Sequence, residues 1–201
     1  MKKILILIVV TSLFITGCSD FLKEENKSNP DAAVLYKTTS GYESFVNSCY
    51  STLRDVYGDN IEMFVAGTDL YKIGRAGLTS QGLGNYQGLT PADNSVKAFY
   101  SVVYQSIKRC NDAIYYGELN KHSAVRIAEV RFLRAYYYFQ LVQQFGDVAL
   151  ATDFITAPVT SYERTPASDV YTFIIDEMKA ALSALPATAA NRVNQRVVNH
   201  Y

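Results

Sequence analysis

Tryptophan is absent from this 201-residue chain, histidine occurs twice and cysteine three times. Nineteen Lys and Arg balance nineteen Asp and Glu, so neither sign of charge dominates. Each shortage excludes something. A chain with no net charge lacks the positive field that draws a protein onto nucleic acid. Cys18, Cys49 and Cys110 are too few for the dense disulfide framework of a small secreted scaffold. His122 and His200 join no Cys or carboxylate at zinc spacing, and H-E-x-x-H, P-loop and G-x-S-x-G motifs are all missing. Gly82-Leu83-Gly84 begins like a dinucleotide fingerprint, but the third glycine comes one position late, at Gly88, and no strand pattern precedes it. Acids such as Asp59, Glu62, Asp69 and Asp93 read as solvated surface rather than as an acid–base pair. The sequence therefore carries no recognisable motif for an enzyme, a metal or a cofactor.

What is present is apolar and aromatic: 49% of residues are hydrophobic, and there are 16 Tyr and 10 Phe. That is ample for a core. The N-terminus is distinct. Lys2 and Lys3 precede an apolar run from Ile4 to Ile15, interrupted only by Thr11 and Ser12. The run is too short to cross a ~30 Å hydrocarbon layer but suits a secretory signal. Ile15-Thr16-Gly17-Cys18 then resembles the bacterial lipobox, which implies cleavage after Gly17 and acylation of Cys18. The protein would rest on a membrane without crossing it. In an exported chain Cys49 and Cys110, both in apolar helical stripes, are either buried free thiols or one disulfide.

Beyond the anchor, residues 18–39 read as a lipid-anchored tether, and residues 40–201 as one helical domain. Ser40 with Glu43 fits a capping box, and Phe45, Cys49, Leu53 and Val56 follow on one helical face. A second helix carries Val96, Phe99, Val103, Ile107, Cys110 and Ile114, ending near Gly117. The third, from Ser123 to Phe145 and closed by Gly146, has two apolar faces, so it should lie between neighbours. Its run Tyr136-Tyr137-Tyr138-Phe139 reads as packing, and Arg131 and Arg134 should pair with acids on it or on adjacent helices. Thr165-Pro166 reads as cap and first residue of a fourth helix, which Pro186 stops. Period-two alternation is nowhere sustained. The expected fold is all-α, built of antiparallel helix pairs.

Between the first two helices, five glycines crowd positions 74–88 among Tyr71, Arg75, Asn85, Tyr86 and Gln87. A loop this long inside a compact domain is usually functional or mobile. Its glycines let backbone approach a ligand, its polar side chains offer directional hydrogen bonds, and Tyr71 and Tyr86 present flat faces.

Several segments together resemble the SusD/RagB-like nutrient-binding lipoproteins. They are the opening Cys18-Ser19-Asp20-Phe21-Leu22, the stretch Tyr104 to Asn111, and above all Ala128 to Phe139 continuing through Phe145-Gly146-Asp147-Val148. Arg164-Thr165-Pro166 with Val170-Tyr171 extends the match. The resemblance implies helix pairs of the tetratricopeptide type with a long Gly-rich loop insertion. It implies a lipoprotein of the outer membrane facing the cell surface, seated on a TonB-dependent transporter of the SusC type. Such pairs take up oligosaccharides or, in some members, peptides. It implies ligand contacts at Asp69 and Arg75, with Tyr86 as a stacking ring. A helical-repeat scaffold that binds only protein, and a surface hydrolase, are the competing classes. Family members are longer, so the chain reads as an N-terminal fragment or truncated gene whose last helix leaves its apolar stripe uncovered.

Overall fold

The structure is a computed structural model describing residues 31–71 and 81–201. The expected leader, Cys18 and Arg75 lie outside the described residues. The chain divides into two units. Of the first, ending at Val34, part of a single helical turn (Ala32–Leu35) is described. The second, Leu35–Tyr201, holds the helical array.

Four long helices build that array: α1 (Thr39–Arg54), α2 (Asn94–Leu119), α3 (Ala124–Phe145) and α4 (Ala167–Ala184). Cross-links set their directions. The Tyr42 hydroxyl near the start of α1 donates to the Ala113 carbonyl near the end of α2, at 3.0 Å. Arg131 and Arg134 of α3 reach back to Glu118 and Asn111 of α2, at 2.8 and 3.0 Å, and forward to Glu177 of α4. Neighbours in sequence therefore run antiparallel, giving the tetratricopeptide-type pairs α1/α2 and α3/α4. Helix α3 packs against all three others, as two apolar faces require. Phe132, Ala135 and Val142 on one face and Leu133, Tyr137 and Leu141 on the other are all buried. Among the described residues, extended pairing amounts to one isolated bridge, Val148 with Thr165.

Two helix starts differ from expectation. The cap of α1 is Thr38, whose hydroxyl accepts from the Gly41 N–H at 3.0 Å, two residues before Ser40. Thr38 also donates to the Leu35 carbonyl, which ties the cap to the preceding turn. At α4, Thr165 is held in the bridge to Val148, so the first-turn N–H of Ala167 is taken instead by the Asp147 carboxylate at 2.9 Å. Cap propensity was right in kind; at α1 a second local hydroxyl took the cap, and at α4 a tertiary partner moved it. The close of α3 is as expected. Gly146 has φ +68°, a backbone region costly for any residue with a Cβ, and its N–H donates to Val142.

The tyrosine run is core. Tyr137 and Tyr138 are fully buried. The Tyr137 hydroxyl donates to the Cys49 carbonyl at 2.8 Å and is hydrogen-bonded to Thr52. Tyr138 donates to the Ala151 carbonyl and accepts its N–H, both at 2.8 Å. Cys49 and Cys110 are buried free thiols. The stripe of α4 is covered, contrary to expectation: Val170, Ile174, Met178, Ala181 and Leu185 are buried, against α3 and the short turn Gln195–Val198. The open apolar groove lies elsewhere, between α1 and α3, where Leu53, Tyr57, Phe132 and Tyr136 line about 550 Å³ beside Val197 and Tyr201. No helix among the described residues is long and apolar enough to cross a membrane.

Candidate functional site

The Gly-rich connection between α1 and α2 is laid against the end of the array where α2 begins and α3 ends. Beyond the π-helical turn Asp55–Asp59 that continues α1, its described residues include the short helical pieces Glu62–Val65 and Gln81–Asn85. Phe64 anchors the first piece edge-on to the buried Phe99 of α2, ring centroids 5.5 Å apart. Asp93 caps α2 by accepting the Ser95 N–H at 3.0 Å, and Glu62 accepts the Ser95 hydroxyl at 3.2 Å. These contacts fix the loop's base. What remains open above it is a groove of about 630 Å³.

Four segments contribute its walls. Met63, Leu83 and Leu89 come from the loop, Lys97 and Tyr100 from the first turns of α2, Phe145 from the end of α3, and Asp147 and Arg164 from the two sides of the bridge. The ring of Tyr100 is 39% exposed and so is available to a ligand. It stands edge-on to Phe145 at 5.2 Å and leans on Tyr104 at 4.7 Å, so two neighbours hold its orientation. Tyr104 is itself locked by donating to the Ala149 carbonyl at 2.9 Å, and burial raises its pKa above the ordinary phenol value, keeping it a neutral donor. Asp147 already accepts the Ala167 N–H, whereas Lys97 and Arg164 meet no carboxylate among the described residues. A rigid aromatic edge flanked by cationic donors that form no ion pair among the described residues, with one half-engaged carboxylate, suits a hydroxyl-rich ligand: C–H faces lie on the ring and hydroxyls meet the charges.

Of the residues expected to bind, Asp69 and Tyr86 are described, and neither lines this groove. Asp69 is exposed on the loop. Tyr86 is 72% exposed with φ +58°, and its hydroxyl donates to the Gly67 carbonyl at 2.9 Å. Gly67, at φ +79°, leaves no room for a Cβ against that phenol, so the pair pins Tyr86 with its ring out in solvent. Tyr100, Lys97, Phe145, Asp147 and Arg164 were missed. Tyr100 breaks the buried stripe of α2, one residue after Phe99, and that exposure was the available signal. The others meet only through tertiary contacts.

Comparison with known proteins places this geometry. A family model of SusD-like proteins, described as starch-binding and associating with the outer membrane, matches residues 20–199. SusD-like protein P2 of Formosa agariphila is 31% identical over 208 residues, covering 96% of this chain and 40% of that protein. SusD-like protein P25 of the same organism is 24% identical over 181 residues, covering 82% and 34%. Among solved structures, a laminarin-binding SusD-like protein superposes with a TM-score of 0.72 at 24% identity, over 81% of this chain and 38% of that one. A SusD homolog from Bacteroides thetaiotaomicron superposes with a TM-score of 0.71 at 22% identity, over 87% and 37%. The chain thus spans two-fifths or less of the length of these relatives. With a family model matched from residue 20 to 199 and the same helix pairs in the solved relatives, the chain belongs to the SusD-like family.

Proposed function

We propose that this chain is the N-terminal helical part of a surface glycan-binding lipoprotein, without catalytic activity, that passes oligosaccharides to a SusC-type TonB-dependent transporter. It is held on the outer membrane by acyl chains on Cys18. The observation that carries the reading is the groove at the start of α2, where the Tyr100 ring stands exposed, braced by Phe145 and Tyr104, in a chain matched by a starch-binding family. Laminarin binding by one solved relative supports a glycan as ligand class. Asp69, Arg75 and Tyr86 supply the loop side of the same site. The lipobox at Ile15 to Cys18 supports the anchor, and the family's association with the outer membrane supports its location.

Affinity electrophoresis of the chain carrying Cys18→Ser, in gels containing laminarin, starch or xylan, tests this. Retardation by at least one polysaccharide is expected. Tyr100→Ala should weaken it about tenfold, since an aromatic face contributes roughly 1–1.5 kcal/mol. Arg75→Ala with Tyr86→Ala should weaken it too, leaving the far-ultraviolet helical signal unchanged. Migration unaffected by every polysaccharide would count against the reading.

A further inference from the structure

Cys49 and Cys110 have no part in the groove, yet they are placed together. Cys49 lies on α1 and Cys110 on α2, and both are fully buried. The Cys49 and Cys110 side chains interact within one buried core shared by the two helices. The backbone around them is tied from three directions. The Cys49 carbonyl accepts the Tyr137 hydroxyl at 2.8 Å and the Thr52 hydroxyl at 2.9 Å. The neighbouring Ser48 carbonyl accepts Arg109 Nη1 at 3.3 Å, which holds α1 and α2 together one residue before each cysteine. Two buried thiols thus neighbour one another across α1 and α2, apart from the lining of the groove.

From this juxtaposition we propose that Cys49 and Cys110, free thiols in the structure, are joined as an intramolecular disulfide when the exported chain folds. The inference rests on the export reading, because only an oxidising compartment drives the bond. The oxidant is an exported dithiol–disulfide oxidoreductase or, in vitro, oxidised glutathione. One cysteine thiolate attacks the oxidant's disulfide and forms a mixed disulfide, releasing the oxidant's other sulfur as a thiolate. The second cysteine thiolate then displaces the oxidant and closes the S–S bond. Both cysteine protons are lost to solvent, and two electrons pass to the oxidant, which leaves as a dithiol or as two thiols.

Burial dictates when this happens. An oxidant cannot reach sulfurs with no exposed surface, and burial raises the Cys110 pKa well above the ordinary thiol value, which removes the nucleophile. Oxidation therefore precedes the docking of α1 on α2, and the finished bond is out of reach of reductants. The bond is a structural staple, not a redox sensor. It would close the segment that contains the Gly-rich loop, fastening both helices from which the groove is hung.

The test uses the whole chain with Cys18→Ser, so that these two thiols are the only ones. Reduced, denatured protein is refolded with and without a glutathione redox pair, then denatured and alkylated. With the redox pair, monomer that takes up no alkylating label, about 2 Da lighter than the reduced form and yielding a Cys49–Cys110 linked peptide, is expected. Its melting temperature should exceed that of the reduced form by about 10 °C. Protein folded reduced and only then given the oxidant should stay reduced and unlabelled until denatured. Two labelled thiols after oxidative refolding, or disulfide-linked dimers in place of the internal bond, would overturn the proposal. The same labelling on protein exported to a bacterial periplasm separates failure of refolding from failure of the bond: labelled thiols there overturn it equally.

Discussion

Glu129 is 1% exposed, and a carboxylate that deep survives only if charge and hydrogen bonds meet it from several sides. Here Arg126 and Arg192 approach its two oxygens at 2.6 Å each, and the Tyr50 hydroxyl donates at 3.0 Å. Arg192 lies in the irregular segment after α4, so this acid fastens the end of the chain to α1 and α3. Arg126 and Arg192 also share Glu43, at 2.6 and 3.4 Å, which is partly solvated. Removing the central charge strands two cations on one partly solvated acid, whereas removing one cation leaves Glu129 its other partner. Glu129→Gln should then cost about 3 kcal/mol, and Arg192→Gln clearly less, in denaturant unfolding. The pair Lys108–Asp112, at 2.6 Å on one helix face with its lysine 57% exposed, should contribute under about 1 kcal/mol when Lys108 is replaced by Gln. Equal costs at all three positions would show that burial is not what sets the worth of these pairs.

At the scale of elements, the packing of α1 on α2 depends on a residue with no side chain. Gly117 sits in the last turns of α2, where a Cβ would run into the Tyr42 ring and Ile127. Propensity alone favours Ala there by up to about 1 kcal/mol. Tyr42 cannot yield, because it is 1% exposed, donates to Ala113 and stacks on His122 at 4.1 Å. Overpacking wins, and Gly117→Ala should lower stability by about 1–2 kcal/mol, seen as a lower denaturation midpoint with unchanged m-value. In sequence Gly117 reads only as a helix stop, whereas α2 continues to Leu119. That contrast shows what was legible. The apolar spacing of α3 announced both its length and its two packed faces, because the 3.6-residue period survives any tertiary arrangement. The caps of α1 and α4 slipped by a residue or two: at α1 Thr38 and Ser40 are equally good local candidates, and at α4 Asp147 reaches its partner from 20 positions away. Glycine crowding flagged the loop. The groove wall went unseen, because Lys97, Phe145, Asp147 and Arg164 converge from segments up to 67 positions apart.

The whole molecule is held together by phenols. Tyr42, Tyr50, Tyr137 and Tyr138 are buried or nearly so in the core, each with its hydroxyl engaged: to Ala113, Glu129, Cys49 and Ala151 respectively. Burial raises the pKa of all four, and of Tyr104, above the ordinary value of 10.0. At Tyr50 the Glu129 charge adds to the rise and Arg192 opposes it. Above pH about 10 an unfolded phenol loses its proton while these keep theirs, so the native state binds more protons than the unfolded one. Stability is then fully present below pH 10 and falls as pH rises beyond it, until the chain opens and the buried hydroxyls ionise together. With no tryptophan in the chain, near-ultraviolet absorbance reports phenolate cleanly. Alkaline titration should show two phases. Phenols open to solvent should ionise reversibly near pH 10, and a later cooperative step should coincide with loss of the helical signal. Tyr137→Phe, which removes one late phenol together with its bonds to Thr52 and Cys49, should shrink the second phase and leave the first unaltered. A single smooth titration with helix content intact throughout would mean that the buried hydroxyls are open to solvent.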